Sequence, residues 1–337
     1  MTHVLLLVAY TGRETAGNAY QGPTVATVER YLYEALERLG LLPSETTPNE
    51  TLERTGRTDA GVGARAMLYL ARLRRWPGLS EDSAGEVNVE IEPTMSHLVT
   101  HPDTPWGCTP ESVAVLSASS CPVFTLNRFL PSCLRVLGAS PVGGAPTGFS
   151  PRHDCVARHY RYVLGLHCDA SAVARAKDVA HRFLGSHDWT NFCRLEQDQQ
   201  GVSRIRQIYT ATVTIDDAQR CVFEVVGSAF LYHQIRYMAS ALLHVMEGHV
   251  DPDLIAERLN PGIDAELDTS NFKLVPAYLL TYCHGYYRQK LPLVISLAAE
   301  RELGLHFLRY PEFGLNGRVQ TTPDLAIPSR RRQALKQ

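Results

Sequence analysis

The sequence lacks the features that would assign it to a membrane or secreted class of protein. No apolar run approaches the ~20 residues that a membrane-spanning helix needs. The apolar segment from Val4 to Tyr10 is short and has no basic leader, so it predicts a buried strand rather than a signal peptide. Hydrophobic residues make up 45% of the 337 residues, which is typical of a globular protein and argues against disorder.

Cysteine pairs and nucleotide-binding motifs are also missing. The eight cysteines are scattered, with no Cys-x-x-Cys pair. This pattern is typical of reduced thiols in an intracellular protein and argues against a zinc site. Neither a G-x-G-x-x-G nor a Walker pattern occurs. The early order of strand, glycine-containing loop and helix therefore gives little support to a nucleotide-binding metabolic enzyme.

The chain has little net charge and very little lysine. The formal net charge is −2, so no global field attracts nucleic acid, and an RNA-binding role would require a local basic patch. Among the 33 basic residues only four are lysine (Lys177, Lys273, Lys290 and Lys336). Arginine grips phosphate through two parallel hydrogen bonds and stacks on bases. Genomic composition bias alone explains the same preference.

One loop, from Thr55 to Ala64, combines a carboxylate, a cation and several glycines. Asp59 lies two residues after Arg57, and the neighbouring glycines allow tight turns and close approach of a ligand. The apolar run Met67–Leu70 follows and predicts a buried strand that would hold the loop rigidly. An ordinary Asp-Ala-Gly turn beside a solvated arginine explains the same residues.

The length leaves room for two domains that share a cleft. We expect an N-terminal α+β domain over residues 1–137, with an insertion at about 77–112 rich in Pro, Gly, Ser and acidic residues. A linker at 138–148, which contains Pro141 and Pro146, would lead to a second α+β domain over 149–290. Residues 291–337 form a C-terminal extension that ends with three consecutive arginines at 330–332, which are solvated by default.

Periodic patterns predict the main elements of both domains. Helices are expected at about 25–39, 172–183 and from about 227 to 246, and strands at 3–10, 134–137, 205–215, 221–226 and 275–284. Tyr160 and Tyr162 alternate along a further strand, where two core tyrosines are the simplest interpretation. Arg236 falls on a polar face of the third helix, as a surface arginine of an amphipathic helix would. His233 is expected to be structural.

The segment Gly56-Arg57-Thr58-Asp59-Ala60-Gly61-Val62 resembles the catalytic loop of the TruA family of tRNA pseudouridine synthases. Ordered segments around residues 127–131, 149–162, 183–194 and 227–238 resemble further motifs of that family, so the likeness covers roughly residues 3–287. The segments at 183–194 and 227–238 are similar to the eukaryotic branch that modifies tRNA uridines 38 and 39. Gly63 departs from the family, which often has His or Ser there.

The resemblance implies a role for six residues. Asp59 would be the catalytic aspartate, Arg236 would pair with it, and Tyr160 would pack against the target uracil as a candidate general base. An adjacent arginine typically lowers an aspartate pKa by ~1–3 units, which would keep Asp59 ionised. RNA binding and base flipping would fall to Arg57, Arg158 and Arg152.

The resemblance also implies a fold, partners and a location. The expected fold class is α+β: the pseudouridine synthase fold, with two α/β domains of mixed, mainly antiparallel sheets meeting at a central cleft. The partner would be tRNA, with no membrane association and with a homodimer by analogy of fold. The isomerisation exchanges neither electrons nor phosphate, so no cofactor and no metal are expected. The cytoplasm, the nucleus or both would be the location, and the acidic insertion should point away from RNA.

Three other functions are compatible with parts of the sequence. A non-catalytic tRNA-binding protein could keep the same fold, but it would have no need of Asp59 and Arg236. A member of the family could also act on another RNA uridine. The nucleotide-binding metabolic enzyme remains the third alternative, and thermal stabilisation by ATP or NAD rather than by tRNA would support it.

Overall fold

The computed structural model describes residues 1–76, 90–91, 122–141, 148–194, 203–259, 272–287 and 291–292. The strands are β1 (Thr2–Tyr10), β2 (Leu52–Arg54), β3 (Gly63–Leu73), β4 (Glu90–Ile91), β5 (Leu134–Pro141), β6 (Cys155–Leu166), β7 (Gly185–Asp188), β8 (Ile205–Ile215), β9 (Arg220–Gly227), β10 (Leu280–Tyr287) and β11 (Leu291–Pro292). The helices are α1 (Val28–Arg38), α2 (Pro48–Thr51), α3 (Pro122–Asn127), α4 (Ala170–Arg182), α5 (Gln234–Met246) and α6 (Pro252–Arg258), with short 3-10 turns at Thr190–Phe192 and Ala277–Leu279.

Within the described residues, nine strands form one large mixed sheet in the order β5-β1-β3-β10-β6-β9-β8-β7, with β2 added against β3. Its neighbouring strands are antiparallel except where β10 runs parallel to β3. That parallel pairing is short, with Thr281 opposite Gly63 and Tyr282 opposite Ala64. It joins the N-terminal strands to the C-terminal strands, and the loop before β3 therefore lies near the middle of the sheet.

The long helices bury their apolar stripes against this sheet. Helix α1 contributes Val28, Leu32 and Leu36 to the same core cluster as alternate side chains of β1. Helices α4 and α5 pack on each other and extend that core over β6, β8 and β9. Burial of an aliphatic side chain stabilises a fold by roughly 1.5–3 kcal/mol, so the continuous core holds both halves of the sheet together.

Several predicted elements are confirmed, with boundaries set by local caps. Helix α1 begins at Val28 because the Thr27 side chain accepts a hydrogen bond from the Arg30 amide at 3.2 Å. The closing strand spans Leu280–Tyr287, because its partner residues on β6 extend to Cys155. The third long helix was expected from about residue 227, and this is wrong: it begins at Gln234, because His233 has a left-handed backbone with φ 62°.

Parts of the predicted domain organisation lie outside the described residues. These include most of the insertion at 77–112, where only Glu90–Ile91 are described, the linker residues 142–147, and the extension after residue 292. Strand β5 continues to Pro141, which pairs with Val4 on β1, so the first residues of the expected linker belong to the sheet. No helix in the described part of the chain is long and apolar enough to cross a membrane.

Candidate active site

The loop between β2 and β3 is a tight turn that presents Asp59. The Val62 amide donates to the Asp59 carbonyl at 3.1 Å, and Gly61 adopts φ 87°, a left-handed conformation that favours glycine. At the start of the loop, the Thr55 amide and hydroxyl both donate to the Leu68 carbonyl at 3.0 Å. The turn is therefore closed on itself and tied to β3.

Asn18, on the loop after β1, holds the same turn from its other side. Its side-chain amide donates to the Gly56 carbonyl at 2.9 Å, and its side-chain oxygen accepts from the Thr58 amide at 2.9 Å. Tyr10 adds a hydroxyl contact with the Thr58 hydroxyl at 2.8 Å. The two loops approach closely at Gly12, where a β-carbon would lie 2.3 Å from the Val62 carbonyl oxygen. This close approach fixes the position of the backbone beneath Asp59.

Asp59 faces a cleft of about 970 Å³ whose walls come from both halves of the sheet. The lining includes the segment 52–59, residues of β6 and the segment 229–236. Among the described residues, the acidic and basic side chains that line it, apart from histidine, are seven arginines (Arg54, Arg57, Arg72, Arg152, Arg158, Arg206 and Arg236) and two carboxylic acids (Glu53 and Asp59). The cleft is therefore basic although the chain carries a net charge of −2, which is the local patch that RNA binding requires.

Two residues from the start of α5 approach Asp59. Nε2 of His233 lies 3.4 Å from Oδ2 of Asp59, whose side chain is 32% exposed. Arg236 lines the same cleft, and its Nε donates to the Val275 carbonyl at 2.7 Å. Burial lowers the pKa of Arg236, while the charge of Asp59 raises it. The fold thus places the guanidinium within electrostatic reach of the carboxylate, and His233 in direct contact with it.

Tyr160 lies on β6 in the wall of this cleft and is 7% exposed. Its ring makes edge-to-face contacts with Phe230 at 5.3 Å and Tyr282 at 5.2 Å between centroids. Burial raises the pKa of Tyr160 and the negative charge of Asp59 raises it further. The phenol is consequently neutral in the free protein, with its ring held rigidly by aromatic neighbours.

The three arginines predicted to bind RNA all line the cleft but differ in their surroundings. Arg57 and Arg152 have exposed side chains. Arg158 instead donates to the carbonyls of Thr55 at 3.2 Å, Arg152 at 3.0 Å, Ser228 at 2.8 Å and Cys155 at 3.4 Å. Its guanidinium joins the Asp59 loop to the segments before β6 and α5. The structure gives Arg158 a positioning task that the sequence did not indicate.

Elsewhere, His244, Glu247 and His249 bring potential metal-ligand atoms within 4.8 Å of one another. They lie at the C-terminal end of α5, where the His249 amide donates to the His244 carbonyl at 2.9 Å. None of the three lines the cleft. This cluster is therefore separate from the side chains that face Asp59.

Comparison with known proteins supports the resemblance. A sequence model of a family described as tRNA pseudouridine synthase matches residues 179–287. The chain is 33% identical over 271 residues to the tRNA pseudouridine(38/39) synthase of Mus musculus, covering 77% of this chain and 50% of that protein. The corresponding protein of Homo sapiens is 32% identical over 271 residues, with the same coverage.

An archaeal relative matches over nearly its whole length. The tRNA pseudouridine synthase A of Methanosarcina barkeri is 29% identical over 302 residues, covering 89% of this chain and 90% of that protein. By contrast, the chain spans about half the length of the curated mammalian relatives. The agreement extends through both halves of the large sheet. The chain therefore belongs to the TruA-like family of tRNA pseudouridine synthases.

Proposed function

We propose that the protein isomerises uridine to pseudouridine in the anticodon arm of tRNA, with uridines 38 and 39 as targets. The observation that carries the proposal is the partly exposed Asp59 carboxylate, held on a rigid turn inside an arginine-lined cleft. The names of the mammalian relatives support the choice of positions. We further propose that residues 1–137 and 149–290 act as two domains that meet at this cleft, that the protein is a homodimer, and that it works in the cytoplasm, the nucleus or both.

The chemistry assigns separate tasks to the side chains in the cleft. The reaction breaks the bond from ribose C1′ to uracil N1 and joins C1′ to C5. The proton on C5 is released and N1 takes up a proton from solvent, so the product is an isomer of the substrate. Asp59, ionised beside the ribose, supports cleavage of the glycosidic bond. The positive charge of Arg236 lies within electrostatic reach of the carboxylate, and the two charges attract each other in a partly buried site. Preorganised charge of this kind is often the largest single contribution to catalysis.

Tyr160 and the exposed arginines are placed to contact the substrate. The neutral ring of Tyr160 forms a wall for the uracil, and its raised pKa favours this task over that of a general base in the free protein. Unstacking the target base costs a few kcal/mol, and Arg57 and Arg152 lie at the exposed part of the cleft, where they can meet phosphate or fill the vacated stack. Arginine suits both contacts.

The direct test measures release of tritium from tRNA that carries [5-³H]uridine, because the C5 hydrogen leaves only when the new bond forms. The wild type should release tritium, and Asp59→Asn and Asp59→Ala should lower kcat by at least about 10⁴-fold. Both variants should still bind tRNA. Turnover by Asp59→Asn near the wild-type rate would contradict the assignment.

Two further experiments separate the isomerase from the alternative functions. Tight binding of tRNA by the wild type without any tritium release would favour a non-catalytic tRNA-binding protein. Substrates in which cytidine replaces uridine at position 38, 39 or both test the positions. Unchanged release from the doubly replaced tRNA would assign the protein to another RNA uridine.

A further inference from the structure

We propose that His233 is a positioning residue that orients the Asp59 carboxylate. The inference rests on the proposed isomerase function and adds His233 to the residues that prepare the active site. Three features of the structure support it: a strained backbone, a buried ring, and a neutral imidazole directed at the carboxylate.

The backbone of His233 is strained without any gain to the helix that follows it. Its φ of 62° is left-handed, which costs a residue other than glycine roughly 1–2 kcal/mol. The residue occupies the N-cap position of α5, yet its side chain accepts no hydrogen bond from the helix amides. The Gln234 side chain accepts from the Leu231 amide at 2.8 Å, which closes the turn before the helix without the His233 side chain. Strain of this kind is characteristic of functional sites.

The His233 ring is packed so that it has little freedom to turn. The side chain is 7% exposed. It lies against the ring of Tyr232, with centroids 3.8 Å apart and ring planes inclined by 32°. Arg194 holds Tyr232 in turn, with its guanidinium 5.9 Å from the Tyr232 centroid and its amide donating to the Tyr232 carbonyl at 3.0 Å. The packing holds Nε2 at 3.4 Å from Oδ2 of Asp59.

The surroundings of the His233 ring decide whether it is charged and which of its two nitrogens carries the proton. Burial, together with the positive charges of Arg236 and Arg194, lowers the pKa of His233 to about 4, so the ring is neutral near pH 7. Among the described residues, Nδ1 is buried without a hydrogen-bond partner. A proton on Nε2 has Asp59 as its acceptor, whereas a proton on Nδ1 would be buried unpaired and would turn a lone pair towards the carboxylate.

Arg236 and His233 therefore act on Asp59 in different ways. Arg236 supplies a positive charge near the carboxylate, and His233 fixes the orientation of the carboxylate without neutralising its charge. With Nε2 only 3.4 Å from Oδ2, the ring N–H restricts rotation of the carboxylate, which must lie close to the ribose for reaction. A misplacement of about 1 Å in an active site can cost about 100-fold in rate.

The first experiment compares His233→Phe with the wild type. Phenylalanine keeps a ring against Tyr232 but has no N–H. We expect kcat for tritium release to fall about 100-fold, with tRNA affinity and Tm retained. His244→Phe, at the far end of the same helix and outside the cleft, is the matched control and should keep wild-type kcat. Wild-type kcat in a folded His233→Phe protein would overturn the proposal.

Chemical rescue distinguishes positioning from simple filling of space. His233→Gly relieves the left-handed strain and removes the ring. Added imidazole should restore part of the lost kcat, whereas N-methylimidazole, which has no N–H, should not. Equal rescue by both compounds would show that the ring only fills space and would overturn the proposal.

A measurement independent of activity keeps the two proposals separate. Nitrogen NMR of imidazole-labelled protein should show His233 neutral with its proton on Nε2, and Asp59→Ala should shift the Nε2 signal. A proton on Nδ1, or no response to Asp59→Ala, overturns the inference even if the enzyme is active. Absence of tritium release by the wild type would instead refute the proposed function.

Discussion

The two segments that meet at the cleft are held in different ways. The loop at 55–62 is fixed by hydrogen bonds to its own turn, to β3 and to Asn18. The segment at 227–236 is held by other parts of the chain: Arg158 binds the Ser228 carbonyl, the Ser228 amide donates to the Gln207 carbonyl, and the Arg194 amide donates to the Tyr232 carbonyl. The first therefore behaves as a rigid turn, and the second depends on packing from distant parts of the chain. Catalytic geometry requires both to be in place at once.

Arg158 connects the two segments, so its replacement should have the largest effect. Arg158→Lys keeps the charge but cannot span four carbonyls with one planar fork. We expect the free energy of unfolding to fall by about 3 kcal/mol, since hydrogen bonds to charged groups contribute roughly 1.5–3 kcal/mol each. Urea unfolding, together with tritium release, measures the loss.

Arg152→Lys is the matched control for that change. The Arg152 side chain is exposed, so its replacement should leave the stability unchanged. If Arg158→Lys also kept wild-type stability and only weakened tRNA binding, Arg158 would be an RNA contact, as the sequence resemblance implied. The two segments would then be independent of each other.

Asn18→Ala should loosen the loop alone. The change removes two hydrogen bonds and leaves the Gly56 carbonyl and the Thr58 amide without their partner. Such a loss costs about 2 kcal/mol, and kcat should fall together with stability because Asp59 lies on the loosened turn. Gln21→Ala, in the same loop, removes only an exposed hydrogen bond to the Ala16 carbonyl and should change neither quantity. An unaltered kcat in Asn18→Ala would show that the loop is rigid without this contact.

Acid should weaken the C-terminal half through its buried histidines. Burial, Arg65 and Arg161 lower the pKa of His159 to about 4. Glu224 lies 3.7 Å from its Nε2 but is 38% exposed and screened by solvent. The unfolded state, with an ordinary histidine pKa near ~6.5, binds the proton first. The stability that His159 contributes is therefore present above pH ~6.5 and is lost as the pH falls towards 4.

The expected size of this loss from His159 is about 1 kcal/mol between pH 7.5 and pH 5.5. His159→Gln should show a correspondingly weaker dependence of unfolding free energy on pH than the wild type. His153→Gln, at an exposed position, is the control, and its unfolding free energy should depend on pH as that of the wild type does. Parallel curves for all three proteins would show that His159 is not held neutral.

Local patterns predicted much of this molecule because their causes are local. The apolar run after the loop is β3, and the alternating tyrosines lie on β6. The start of α5 was placed too early, because no neighbouring residue signals that His233 takes a left-handed conformation. Asn18 was missed for a similar reason: its partners at 56 and 58 are far away in sequence, and an asparagine in a glycine-containing loop is unremarkable by itself.

Periodicity, turn chemistry and motif likeness within the sequence determined the main elements, the family and the identity of the candidate carboxylate. Each of these depends on residues close together in the chain. Tertiary structure alone decided that Arg158 holds backbone rather than standing free, that the arginines collect in one cleft of a nearly neutral protein, and that His233 touches Asp59. The contacts of Arg158 with Thr55 and of His233 with Asp59 arise where β10 joins β3 and brings together segments more than a hundred residues apart.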